Sequence, residues 1–132
     1  MRWDGAMTLG PEPVEPTELV AGAWQLRPWP AAHADLDDVL AERYADPAQR
    51  AAAREARLAG WQRGDLLGFA VREITTGSCA AEVVVRVDAG TSSVEQWRRR
   101  SGAVTASDAD LEAASAAVAR WLSGALGLAV DG

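Results

Sequence analysis

The sequence predicts an α/β fold: a mixed, mainly antiparallel sheet of about four strands with three helices. Three observations carry that prediction. Apolar residues alternate with polar or small ones in Ala23-Trp24-Gln25-Leu26-Arg27 and again at Leu67, Phe69 and Val71, the period of a half-buried strand. Two longer segments, from Leu36 to Tyr44 and from Leu111 to Leu122, instead carry one apolar face at helical spacing, and an alanine- and arginine-rich run between them reads as a further helix. The turn-forming run Thr75-Thr76-Gly77-Ser78 separates two apolar stretches in the manner of a hairpin.

Taken in order, residues 1–21 read as a flexible leader. Pro11, Pro13 and Pro16 restrict the backbone there, and Glu12, Glu15 and Glu18 repel one another. Residues 22–132 then form a single domain. Its first strand is ended by Pro28 and Pro30. In the first helix, Leu36, Val39, Leu40 and Tyr44 share a face, and Asp35, Asp37 and Asp38 gather near its positive end. Asp46-Pro47 breaks that helix. The alanine- and arginine-rich run from Ala48 to Arg63 gives the second helix, with Gly64 as its left-handed cap. Strands over Leu67–Val71 and Ala80–Val87 flank the hairpin turn, and Val94 to Trp97 supplies one more strand. Ser107 opens the third helix as N-cap, with Leu111, Ser115, Val118 and Leu122 facing inward and a weak point at Gly124. Leu128-Ala129-Val130 begins a further strand.

A chain of 132 residues buries roughly two-thirds of its unfolded surface. The net charge of −6 argues against nucleic acid as a partner, because a polyphosphate is met first by a basic surface. No apolar run reaches the roughly 18 residues a membrane helix needs, and Met1 to Gly5 shows no signal pattern, so a cytoplasmic protein that engages no membrane is expected. All thirteen basic residues are arginine and asparagine is missing, the bias a GC-rich bacterial genome imposes. The single cysteine, Cys79, has no internal disulfide partner and reads as a small buried hydrophobe.

Among residues that could carry chemistry, His33 has no partner carboxylate signalled and reads as a solvated loop position. Trp24, Trp61 and Trp121 fall on apolar faces and read as core, whereas Trp3, Trp29 and Trp97 could line a groove or an interface.

The phrases Leu26-Arg27-Pro28-Trp29, Ala45-Asp46-Pro47, Gly60-Trp61, Gly64-Asp65-Leu66-Leu67-Gly68-Phe69-Ala70-Val71-Arg72-Glu73 and Thr76-Gly77 occur in an order that resembles the N-terminal half of a GNAT-family N-acetyltransferase. The branch most similar contains the ribosomal-protein N-terminal acetyltransferases. Val118-Ala119-Arg120-Trp121-Leu122 resembles that family's third helix. The resemblance implies a sheet that parts between the family's fourth and fifth strands to admit acetyl-CoA. It also implies a pyrophosphate loop leading into the third helix, where backbone N–H groups and the helix dipole favour an anion.

The corresponding loop is Arg99-Arg100-Ser101-Gly102-Ala103-Val104-Thr105, with Val104 where the family places a small residue. The resemblance thus assigns cofactor contacts to Arg99, Arg100, Gly102, Val104 and Thr105. It makes Glu95 the general base acting on a primary amine of a small molecule or peptide. The same stretches also read plainly as a solvated basic loop and an exposed strand carboxylate. The strands expected to complete the family's cleft do not follow Val130, so the chain reads as a divergent, C-terminally truncated relative. Two functions therefore stand side by side. One is acetyl transfer from acetyl-CoA. The other is a catalytically inactive binding or dimerisation module without cofactor, whose open sheet edge a second copy or another protein would complete.

Overall fold

In the computed structural model, which describes residues 13–88, 91–100, 103–127 and 129–131, the alternating segments become β1 (Leu19–Ala21), β2 (Trp24–Pro28), β3 (Leu66–Glu73), β4 (Cys79–Asp88), β5 (Thr91–Arg98) and β6 (Ala129–Asp131). The periodic segments become α1 (His33–Arg43), α2 (Pro47–Arg63) and α3 (Asp108–Leu126), and a single 3-10 turn, Trp29–Ala31, links β2 to α1. The sheet order follows the chain, β1-β2-β3-β4-β5-β6. Every pairing is antiparallel except β5 with β6.

The expected mixed, mainly antiparallel sheet with three helices is present. Two three-residue strands at its edges, β1 and β6, extend the expected four strands to six. β1 occupies the last three residues of the stretch read as leader. Gly22 turns the chain back there with φ 61°, so Leu19 can pair with Leu26, and upstream Val14 N–H donates to the carbonyl of Trp61. Residues 1–12 of that leader lie outside the described residues. His33, expected in a loop, is the first residue of α1 and is exposed.

The alternation gives the sheet two unlike faces. One carries Leu26, Leu67, Phe69, Val71, Val83 and Val85, covered by Leu111, Ala114, Val118 and Leu122 of α3. Trp61 of α2 joins this core at the end of β3 that projects past β2, its ring 5.2 Å from Phe69 and 5.8 Å from Trp121. The other face packs Ala70 and Cys79 beneath Trp29, Leu36, Val39 and Leu40. Ser115, expected to face inward, lies at the margin of the first core, where its hydroxyl accepts from Gln96 of β5 at 2.6 Å. α3 runs through Gly124 to Leu126, and Gly127 ends it at φ 67°.

Close approach explains two glycines. A Cβ on Gly68 would stand 2.5 Å from the Trp29 ring, and one on Gly60 would stand 2.2 Å from the Leu66 carbonyl oxygen. No real contact tolerates either distance, so α2 and the 3-10 turn lie against β3 only because those side chains are missing.

Candidate functional site

β5 is the strand on which the candidate residues converge. β6 runs alongside it for three residues only, pairing Thr91 with Ala129, Ser92 with Val130 and Ser93 with Asp131. From Val94 to Arg98 no described strand pairs with that edge of β5, although β4 pairs with its other edge throughout. The described pairing of β5 with β6 covers Thr91 to Ser93.

Glu95 lies on this stretch and is exposed. Its carboxylate accepts from Arg86 of β4 at 2.8 Å. The register places it on the α1/α2 face, with Glu82 and Trp97.

Arg99 turns away from solvent toward α1. Its Nε meets the Glu42 carboxylate at 3.1 Å and its Nη1 donates to the carbonyl of Cys79 at 3.3 Å. The backbone N–H of Arg100 donates to the other Glu42 oxygen. Val104 packs against the α3-side core, and Thr105 is exposed. Gly102 lies outside the described residues. The structure therefore brings Glu95 and Arg99 onto one face, and it directs Val104 to the opposite one.

The start of α3 is already occupied by anions of the chain itself. Ser107 Oγ accepts from Asp110 N–H at 3.0 Å, and the Asp110 carboxylate accepts from Ser107 N–H at 2.9 Å, a complete capping box. The hydrogen bonds from Ser107 hold the Asp110 carboxyl below its ordinary range. Asp108 pairs with Arg98. The positive end of this helix thus faces two carboxylates, and the arginines at positions 98 and 99 are each matched to an acid. A pyrophosphate there would meet like charge, and among the described residues of this loop only the exposed Arg100 side chain is not matched to an acid, so these residues do not fit acetyl-CoA in the manner expected.

On the α1/α2 face lies a cluster the expectations missed. Glu82 of β4 is fully buried, and each of its oxygens accepts two bonds. Oε2 takes Trp29 Nε1 at 2.7 Å and Arg57 Nε at 2.5 Å; Oε1 takes Arg57 Nη2 at 3.0 Å and Arg43 Nη1 at 2.6 Å. Arg43 is flanked by two rings, its guanidinium carbon 5.7 Å from the Tyr44 centroid and 5.6 Å from that of Trp97. Arg57 lies 5.9 Å from Tyr44 on the same side.

A signal for this cluster was in the sequence. Glu82 interrupts the apolar run Cys79-Ala80-Ala81-Glu82-Val83-Val84-Val85, and a carboxylate in such a strand requires a buried cation. Periodicity alone could not say which arginine supplies it.

Comparison with known proteins bears on the fold. No family model matches the chain, and no curated protein does. Among solved structures, it is similar to a GCN5-related N-acetyltransferase from Brucella melitensis, with a TM-score of 0.60 at 19% identity over 92% of this chain. The fold is GNAT-like. The chain spans 62% of that neighbour's length. Among the described residues no group of His, Cys, Asp and Glu could hold a metal ion, and no helix is long and apolar enough to cross a membrane.

Proposed function

We propose that this chain is a binding domain built on the GNAT-like fold, with its ligand face on the α1/α2 side of β5 rather than at the start of α3. The observation that carries this reading is the helix start filled by Asp108, Asp110 and Ser107. The Asp110 carboxylate takes the Ser107 N–H, the Ser107 hydroxyl takes the Asp110 N–H, and Asp108 adds a second negative charge at the end that the family offers to a pyrophosphate. In the same reading, a second copy or another protein adds a strand along Val94–Arg98, whose edge offers backbone donors and acceptors for β-augmentation.

The GNAT-like fold, with β5 and β6 paired in parallel, favours a second reading, an N-acetyltransferase that passes an acetyl group from acetyl-CoA to a primary amine of a small molecule or peptide. There the free edge of β5 would hold the pantetheine arm and Glu95 would act as base. Arg99, Arg100 and Thr105 would have to leave their present surroundings to reach the phosphates. Such a transferase would resemble the ribosomal-protein N-terminal branch and work in the cytoplasm of a bacterium.

Thermal denaturation with acetyl-CoA, free CoA or pyrophosphate decides between them. A ligand at about 100 times its dissociation constant adds about 2.7 kcal/mol of stability, enough to raise the melting temperature of a domain this small by several degrees. The binding-domain reading expects no shift with any of the three. A shift that disappears on replacing Arg99 and Arg100 overturns it and establishes the second.

A further inference from the structure

We infer that Arg43 anchors a binding site for a carboxylate-bearing ligand on the α1/α2 face, beside the free edge of β5. The argument begins with charge. Arg57 alone matches Glu82, binding both oxygens of its carboxylate through Nε and Nη2 and giving Nη1 to the carbonyl of Ala53. Arg43 is then a second cation on one anion, and the cluster carries an excess charge of one positive unit (two arginines less one glutamate).

Arg43 uses only Nη1 in this network; its Nε and Nη2 make no hydrogen bond among the described residues, and its side chain is 25% exposed. The unspent pair is the planar two-donor edge that matches a carboxylate.

This guanidinium is also held in position before any ligand arrives. Glu82 fixes one end, and the Tyr44 and Trp97 rings both lie within cation–π distance. Little side-chain freedom remains to be lost on binding, which favours affinity. Trp97 belongs to the stretch of β5 beyond Ser93, along one edge of which no described strand pairs, and it lies on the same face as Glu82.

The neighbouring cations decide which anion fits. Arg99 is spent on Glu42, Arg57 on Glu82, and Arg50 on the carbonyls of Tyr44 and Ala45. A single carboxylate fills the two-donor edge and balances the excess charge of the cluster, whereas a tetrahedral phosphate dianion brings a second negative charge that Arg43 does not balance. Glu42, the acid next in sequence to Arg43, is itself matched by Arg99 and the backbone of Arg100. This inference names a ligand class for the binding domain proposed above and rests on that reading only for its biological role.

The test follows the indole N–H resonance of Trp97, assigned with Trp97→Phe, as the whole chain is titrated with benzoate, benzamide or inorganic phosphate. Benzoate is expected to move it saturably, and benzamide and phosphate are not. Arg43→Lys keeps the charge and a contact to Glu82 but loses the fork, and it should weaken benzoate roughly tenfold while the fold, followed by circular dichroism, persists. A benzoate titration that does not saturate overturns the inference, as does equal binding of benzamide or phosphate, or undiminished binding in Arg43→Lys. Benzoate binding together with an acetyl-CoA thermal shift would leave this site standing and remove the reading above.

Discussion

At the scale of single residues, the buried charge on β4 governs more than its own surroundings. Glu82 draws Trp29 from the 3-10 turn, Arg43 from the end of α1 and Arg57 from the middle of α2 onto one carboxylate. Removing its charge would leave two cations facing each other in an apolar layer. Glu82→Gln is therefore expected to cost about 3–5 kcal/mol in urea denaturation, the range for a buried ion pair stripped of one partner. Replacing Glu82 and Arg57 together by methionine should cost much less than the two single changes summed, because only Arg43, which is partly exposed, is then left without its partner. Additive costs would show that the pair is not coupled. Gly68 gives a second expectation. Its neighbour Trp29 is fully buried and tied to Glu82, so the ring cannot yield to a new methyl group. Gly68→Ala should destabilise by about 1–3 kcal/mol, the usual cost of overpacking.

At the scale of elements, the helix and strand periods were legible because each buries one face. Alternation located β2 and β3, the hairpin turn located β4, the three-to-four spacing located α1 and α3, and composition located α2, with Gly64 and Ser107 read as caps from their residue types. β1 was not legible. Its three residues follow a proline-rich run and become a strand only by pairing with β2, a tertiary effect no local pattern reports. The candidate site was read less well for a similar reason. Sequence order put Arg99 near a helix start, but whether its charge is free depends on Glu42, a residue of α1.

The α3 cap also sets an acid response. Hydrogen bonds from Ser107 lower the folded pKa of Asp110, so its contribution is fully present above the ordinary aspartate value of 3.8 and is lost as pH falls through the lower folded value. Asp110→Asn should thus reduce the urea midpoint at neutral pH, and its difference from the parent protein should close as pH drops through that window. A difference that persists in strong acid would exclude the charge as its source. Ser107→Ala should cost about 1 kcal/mol at neutral pH through loss of the cap.

For the molecule as a whole, Cys79 reports on cooperativity. Burial, reinforced by the negative charge of Asp35, pushes its thiol up to about 12, so the thiolate that reacts with alkylating reagents is scarce at neutral pH. Labelling by iodoacetamide is expected to be negligible in the native protein and to rise in urea along the same curve as circular dichroism. Labelling well before that transition would reveal that the layer of α1 and α2 opens separately from the sheet. Because the strand order repeats the chain order, β1 to β5 can meet their neighbours as they leave the ribosome, but the helix that covers Leu67, Phe69, Val83 and Val85 is made afterwards. During translation those side chains form an adhesive surface until α3 emerges, which makes the interval near residues 99–107 the moment at which a nascent chain most needs a chaperone.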